Sequence, residues 1–212
     1  MSMEGIATEP LVYVTGFGPF EGHETVNASW EAVRLLPVKH SVRNQSFRIK
    51  LLEVPVVYDE VNNYVDSIWK EGPKLVIHCG VDGGAKAIKV EKCANNSSFC
   101  RPDWSGKCLE TPTVCLKNNG SNCDALTTCF DVEKIVNEVN AVLPEQMLCL
   151  STKVGSYLCG YIYLNSLDKN CERTLFIHVP PVDKPYSSQQ TSASILAVLE
   201  KCVEQLIDEG KM

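Results

Sequence analysis

The feature of this sequence that most constrains its fold is an alternation between short apolar runs and segments with helical periodicity. The apolar and alternating runs predict strands, at residues 11–17, 47–51, 74–79, 147–150 and 174–179. Between them, apolar residues recur at helical spacing and predict helices that begin near residues 27–29, 57, 132, 157 and 191. Strands that alternate with helices favour an α/β fold whose mostly parallel central sheet is covered on both faces.

The length of the chain sets how many domains we expect. A chain of 212 residues can bury one substantial core and is short for two ordinary domains. We therefore expect residues 1–212 to form a single α/β domain. One segment, 96–125, departs from the regular pattern: it is polar and rich in cysteine, and its sequence predicts no clear helix or strand.

Charge and hydropathy narrow the classes of partner. The formal net charge is -6, whereas a general nucleic-acid binder usually has a basic face. The first ten residues lack the basic stretch and apolar core of a secretory signal. No apolar run approaches the roughly 20 residues that cross a bilayer. We therefore expect a cytoplasmic protein without nucleic-acid or membrane partners, in a compartment that keeps thiols reduced.

The sequence contains 11 cysteines, and an odd number without a secretory signal argues against a disulfide framework. Six of them recur every six to eight residues, without the C-x2-C spacing of a zinc knuckle and without a histidine among them. These six are Cys93, Cys100, Cys108, Cys115, Cys123 and Cys129. Free thiols are the favoured interpretation, and a zinc-binding segment is the alternative.

Two residues in the second half of the chain could form an activated nucleophile. Cys159 follows a turn at the start of a predicted helix, where backbone N–H groups and the helix dipole stabilise a thiolate. His178 ends the next predicted strand, from which an imidazole can approach the thiol. A buried structural cysteine and an edge histidine are the alternatives, because position alone does not choose among the cysteines. His78, inside an apolar strand, is interpreted as a core histidine.

A third group should orient the imidazole. Glu91 lies in an alternating, strand-like run at 87–95, and its carboxylate could accept the imidazole N–H and fix the tautomer. Taken alone, Glu91 is better explained as a surface acid that pairs with a neighbouring lysine. The three side chains therefore suggest a catalytic group without proving one.

Four motifs, in this order along the chain, resemble those of the pyroglutamyl peptidase I family, and the resemblance spans roughly residues 11–206. The first is an opening glycine-rich motif, the second carries the family's catalytic glutamate, the third its nucleophile and the fourth its histidine. They read VTGFGPF at 14–20 with VNASW at 26–30, VIHCGV at 76–81 leading to VEKCAN at 90–95, GSYLCGYIY at 155–163, and FIHVPP at 176–181.

The resemblance implies an α/β/α sandwich that uses neither a metal nor an organic cofactor. It implies a cysteine peptidase that removes an N-terminal pyroglutamyl residue from peptides through a thioester, with Cys159, His178 and Glu91 as catalytic residues. It also implies that Phe17 and Phe20 line the pyroglutamyl pocket, since an aromatic wall suits a flat uncharged lactam. The alternative for these two rings is a place in the core.

The segment at 96–125 does not follow the family pattern closely. Substrate contacts from this segment are therefore not transferred, and Arg101, its only arginine, is given no role at the oxyanion. A catalytically inactive family member that binds peptide N-termini is the alternative function.

Overall fold

The structure is a computed structural model, and it describes residues 9–20, 22, 25–119 and 123–212. The expectation drawn from the first ten residues therefore falls mostly outside the described residues. In the described part of the chain, no helix is long and apolar enough to cross a membrane.

The described residues form nine strands and five helices. The strands are β1 (Leu11–Phe17), β2 (Lys39–Val42), β3 (Gln45–Val54), β4 (Leu75–Val81), β5 (Ile88–Glu91), β6 (Cys93–Asn95), β7 (Ala125–Thr127), β8 (Leu148–Ser151) and β9 (Thr174–Val179). The helices are α1 (Ala28–Val33), α2 (Tyr58–Lys70), α3 (Val132–Val142), α4 (Leu158–Lys169) and α5 (Ser188–Asp208).

Seven strands form one central sheet in the order β2-β3-β1-β4-β9-β5-β8. The pairs β1–β3, β1–β4, β4–β9 and β5–β8 are parallel, whereas β2–β3 and β5–β9 are antiparallel. The buried apolar residues of α1, α3 and α5 belong to one cluster, and those of α4 with most of those of α2 belong to a second. The predicted mostly parallel sheet with helices on both faces is confirmed.

The second cluster lies under the candidate site. Strand residues Phe17, Val54 and Phe176 pack there with Leu158 and Tyr163 of α4. Side chains alternate between the two faces of a strand, so residues two apart on one strand share this face. For this reason His178, two residues after Phe176, points to the same side of the sheet as α4.

The cysteine-rich segment is anchored to this face of the protein. Phe99 is 0% exposed and lies in the second cluster. The side chain of Asn96 donates to the carbonyl of Val114 at 2.8 Å and accepts from its N–H at 2.7 Å. The carboxylate of Asp103 accepts the N–H of Tyr58 at 3.0 Å, so it caps α2, whose own N-cap residue makes no side-chain cap bond. The described part of this segment is thus packed against the rest of the protein.

The start of one helix differs from the sequence prediction. Helix α5 begins after Ser187, which forms a capping box with Gln190, so Thr191 lies inside the helix and does not cap it. Helix α1 ends at Val33, and Leu36 lies in the turn that follows while still contributing to the core. The N-cap of α1 is Asn27, within the range 27–29 predicted for the start of this helix, and its side chain accepts from the N–H of Ser29.

Candidate active site

Cys159 is the second residue of α4, as the sequence predicted for a residue near a helix start. The N-cap residue Tyr157 is extended and makes no side-chain cap hydrogen bond. The N–H groups of the first turn are therefore available to an acceptor outside the helix, and the positive end of the helix dipole lies at the sulfur. A negative charge on the sulfur or on an attacked carbonyl is stabilised at this position.

Two glycines let the sulfur and the first turn of α4 sit against neighbouring backbone. A Cβ added to Gly80 at the end of β4 would lie 2.5 Å from the Cys159 sulfur. A Cβ added to Gly160 would collide with the carbonyl oxygen of Gly155, which has a φ of +83°. Glycine at 80 and 160 is thus what permits Cys159 to lie directly on the sheet edge.

His178 and Glu91 come from neighbouring antiparallel strands, β9 and β5. The imidazole Nδ1 of His178 lies 2.8 Å from the carboxylate Oε1 of Glu91, and the side chains are 7% and 0% exposed. The structure therefore brings together all three predicted catalytic residues, because His178 is also hydrogen-bonded to the Cys159 side chain. The three groups are in contact in the order thiol of Cys159, imidazole of His178 and carboxylate of Glu91.

The surroundings of His178 decide its charge. Burial by itself lowers the pKa of the imidazole, because the charged form loses solvation. The charge of the Cys159 sulfur, the hydrogen bond to Cys159, and the hydrogen bond and charge of Glu91 act in the opposite direction and prevail. Together they raise the pKa of His178 to about 9, so at neutral pH the imidazole holds a proton.

Glu91 is fixed by its strand and by a residue of the catalytic helix. The hydroxyl of Tyr163 on α4 donates to the backbone carbonyl of Glu91 at 2.9 Å. The second carboxylate oxygen of Glu91 has no hydrogen-bond partner among the described residues. One oxygen is thus committed to His178, and the alternative interpretation of Glu91 as a surface acid paired with lysine does not fit its burial.

An apolar cavity of about 220 Å³, including space open to solvent, lies beside Cys159. Phe17 and Phe20 line it, together with Val56 and Tyr157. Phe17 is only 2% exposed and belongs to the buried cluster, whereas Phe20 is partly buried and packs against that cluster. Both rings thus line the cavity and Phe17 is also part of the core, while their contact with a substrate stays a prediction.

Arg101 contacts Tyr157, one of the residues that line this cavity. Its guanidinium carbon is 4.4 Å from the centroid of the Tyr157 ring, a cation–π contact. Its backbone carbonyl accepts the hydroxyl of Tyr58 at 3.2 Å. These contacts connect the cysteine-rich segment to the residue that precedes the catalytic helix.

Burial and contacts, which the sequence does not show, distinguish Cys159 from the other cysteines. Cys79 and Cys202 are fully buried, and burial raises the pKa of both thiols far above the ordinary value. Among the described cysteines, Cys159 is the one whose charge and hydrogen bond act on His178. Among the described residues, no group of three or more His, Cys, Asp and Glu side chains is placed to hold a metal ion.

Some residues of the site carried no individual signal in the sequence. Tyr163 supports Glu91 from a helix position that reads as ordinary core, and Val56 lines the cavity from a loop. Gly80 offered a weak signal, because a glycine that ends a buried strand often marks a close approach. A thiol, an imidazole and a carboxylate in series at the edge of an α/β sheet, beside a cavity, form the constellation of a cysteine-type hydrolase.

Comparisons with known proteins narrow this class to one family. The sequence model of the pyroglutamyl peptidase family matches residues 11–207. Human pyroglutamyl-peptidase 1 is 34% identical over 203 residues, which cover 95% of this chain and 94% of the human protein. The pyrrolidone-carboxylate peptidase of Lactobacillus helveticus is 33% identical over 177 residues, which cover 80% of this chain and 82% of that protein.

Solved structures agree with the sequence comparison. The pyrrolidone carboxyl peptidase of Thermus thermophilus aligns with a TM-score of 0.73 at 27% identity, over 90% of this chain and 99% of its own. The pyroglutamyl peptidase I of Bacillus amyloliquefaciens shares the fold with a TM-score of 0.77 at 24% identity, over 92% of this chain and 98% of its own. The chain belongs to the pyroglutamyl peptidase family of cysteine-type exopeptidases.

Proposed function

We propose that this protein hydrolyses the bond after an N-terminal pyroglutamyl residue of a peptide, with Cys159 as nucleophile, His178 as acid and base, and Glu91 as the group that orients His178. The observation that carries the proposal is the hydrogen-bonded series of Cys159, His178 and buried Glu91 beside an apolar cavity. Family membership supports the choice of substrate.

The first step is attack by sulfur. The imidazole of His178, whose pKa is raised to about 9, is the base that receives the proton given up by the Cys159 thiol. The Cys159 sulfur then adds to the pyroglutamyl carbonyl, and the N–H groups of the first turn of α4 face the oxygen that becomes negative. The imidazolium next donates its proton to the leaving amine as the C–N bond breaks, which leaves a thioester on Cys159.

The second step is hydrolysis of the thioester. Neutral His178 removes a proton from water, the hydroxide adds to the acyl carbon, and the C–S bond breaks to release pyroglutamate. Glu91 does not touch the substrate in this scheme. It accepts the Nδ1–H of His178 at 2.8 Å, which directs Nε2 toward the sulfur and stabilises the imidazolium in both steps.

The cavity accounts for the preference for a lactam. A pyroglutamyl ring is flat and uncharged, so its chemistry suits the apolar side chains of Phe17, Phe20, Val56 and Leu158 that line this space. An N-terminal glutamyl residue would carry an ammonium and a carboxylate into the same apolar surroundings, and the loss of hydration disfavours both charges. The pocket therefore selects the cyclised residue through shape and absence of charge.

Turnover of matched substrates tests this proposal. The purified protein should release aminocoumarin from pyroglutamyl-aminocoumarin and leave glutamyl-aminocoumarin unchanged. Cys159→Ser should abolish the release with little change in melting temperature, and Cys202→Ser, which alters a fully buried thiol on α5, should retain activity if it folds. A folded wild-type protein that binds pyroglutamyl peptides without turnover would make the chain a binding protein and overturn the proposal.

A further inference from the structure

Two cysteines outside the candidate active site lie in contact with each other. The sulfur of Cys129 is 3.2 Å from the sulfur of Cys171, although the two residues are 42 positions apart in the sequence. Cys129 precedes helix α3, and Cys171 lies in the connection between α4 and β9. Both thiols are reduced in the structure. The mechanism proposed above uses neither of them.

The backbone holds these two residues together independently of their sulfurs. The N–H of Cys129 donates to the carbonyl of Cys171 at 2.9 Å. The neighbouring hydroxyl of Thr128 donates to the carbonyl of Thr174 at 2.7 Å, which fixes the same connection to the start of β9. The residue Cys129 is exposed and Cys171 is partly exposed, so a small solute can reach the pair.

We propose that Cys129 and Cys171 form a redox-sensitive pair that low-molecular-weight disulfides such as glutathione disulfide convert to an intramolecular disulfide. A disulfide requires the two sulfurs to approach to about 2.05 Å, with Cα atoms usually about 4.4 to 6.8 Å apart. Starting from 3.2 Å between sulfurs, rotation of the side chains supplies most of this approach. The backbone hydrogen bond keeps the two chain segments adjacent while it happens.

The exchange proceeds in two balanced steps. One sulfur of the pair attacks glutathione disulfide and breaks its S–S bond. One glutathione departs as a thiolate, and the other stays bound to the protein sulfur as a mixed disulfide. The second protein sulfur then attacks the first, forms the Cys129–Cys171 bond and releases the second glutathione. The protein loses two thiol hydrogens, and one glutathione disulfide becomes two glutathione thiols.

The pH dependence of the exchange follows from Cys129. Burial, the hydrogen bond to Cys171 and the negative charges of Cys171 and Glu172 raise the pKa of Cys129 to about 11. Cys129 therefore remains protonated at neutral pH and attacks slowly there, because the thiolate is the nucleophilic form. The reaction should accelerate as the pH rises from 7 to 9.

The new bond would tie the connection in the middle of the unit that carries the site to the segment before α3. Helix α4 bears Cys159 at its start, and β9 bears His178 at its end, with Cys171 between them. The bond joins this connection to the start of α3 and so restricts the unfolded chain far more than the folded one. We expect greater thermal stability of the folded protein and no rearrangement of the site.

Peptide mapping tests the pairing directly. Cleavage at lysine and arginine places Cys129 on peptide 118–134, which also contains Cys123, and Cys171 on peptide 170–173. After incubation of wild-type protein with glutathione disulfide, these two peptides should appear as one linked species without reduction. Cys129→Ser should remove that species, whereas the matched variant Cys123→Ser should retain it.

Thermal melting supplies the second readout. The linked wild-type protein should melt about 5 °C or more above the reduced protein, and reduction should reverse the increase. Cys171→Ser should show no such increase, while Cys123→Ser should show it in full. The proposal is overturned if the linked species persists in Cys129→Ser, if wild type forms only glutathione adducts, or if the linked protein melts at the temperature of the reduced one. None of these readouts depends on the proposed peptidase activity.

Discussion

Two histidines lie buried on neighbouring strands of the same sheet, and their surroundings shift their pKa values in opposite directions. His78 on β4 is 0% exposed and shares a hydrogen bond of 2.8 Å with Thr15, while its Nε2 has no partner among the described residues. Burial lowers the pKa of His78 to about 3. His178 on β9 is 5% exposed, and Cys159 and Glu91 raise its pKa to about 9 against the same effect of burial.

The contrast shows what distinguishes a core histidine from a reactive one. Both residues are buried, and each has a hydrogen-bond partner on Nδ1. The partner of His78 is a neutral hydroxyl, whereas His178 lies between two groups that can carry negative charge. Only the second arrangement stabilises an imidazolium, because opposite charges at close range offset the loss of solvation. Burial alone therefore predicts an inert histidine.

The same substitution at both positions should have very different effects on turnover. We expect His178→Asn to lower kcat/KM by about 10³- to 10⁴-fold, because general acid–base catalysis of this kind typically contributes that much. His78→Asn should change kcat/KM by less than about threefold and should instead lower the melting temperature, since it alters a buried hydrogen bond to Thr15. Equal losses of activity in the two folded variants would remove the distinction between the sites.

Glu91→Gln tests the carboxylate that makes the difference. The amide keeps the shape of the side chain, and Tyr163 still bonds the backbone carbonyl, but the negative charge is lost. We expect kcat/KM to fall by about 10- to 100-fold. Because Glu91 raises the pKa of His178, activity in the variant should also decline at lower pH than in wild type, where it is lost as the pH rises through about 9.

A control for Glu91 is available at the same edge of the sheet. The charge of Asp82 also acts on His178, but its carboxylate is paired with Lys89 at 2.6 Å. Asp82→Asn should therefore move the alkaline limb of the pH profile less than Glu91→Gln does. A larger shift in Asp82→Asn would mean that Glu91 is not the main partner of His178.

The smallest expected effect on turnover concerns the cavity wall. Phe20→Ala should raise KM by roughly tenfold, because it removes aromatic contact area from the substrate while most of the ring's surroundings can relax. Phe17→Ala should raise KM comparably and also cost about 3 to 5 kcal/mol of stability, since Phe17 is 2% exposed and part of the buried cluster. Thermal melting beside kinetics separates the two, and a wild-type KM in both folded variants would show that neither ring contacts the substrate.

The sequence predicted the central strands and the position of Cys159 because both depend on local patterns. Apolar runs at β1, β4 and β9 can only be buried, and a turn before α4 places a residue at a helix start. The approach of Glu91 to His178 is different, because it requires β5 to insert antiparallel beside β9. Nothing in the residues 87–95 specifies that neighbour, so without the family resemblance Glu91 remained one acid among several.

The cysteine-rich segment was the least predictable region for a similar reason. Asp103 caps α2 from 45 residues away, and Asp168 of α4 accepts the N–H groups of Asn118 and Asn119. Contacts between residues so far apart along the chain leave no periodic signal in the sequence. They are visible only when the elements that they connect are already in place.

The proton affinities of the two histidines test the account most directly. Nuclear magnetic resonance of protein with ¹⁵N-labelled histidine rings follows each imidazole as the pH is changed, and His78→Asn and His178→Asn assign the signals. We predict that His178 loses its proton with a midpoint near pH 9 and that Cys159→Ala lowers this midpoint. We also predict that His78 stays neutral throughout the range in which the protein is folded. A midpoint for His178 at its ordinary value of about 6.5, unchanged in Cys159→Ala, would contradict the activated pair of Cys159 and His178.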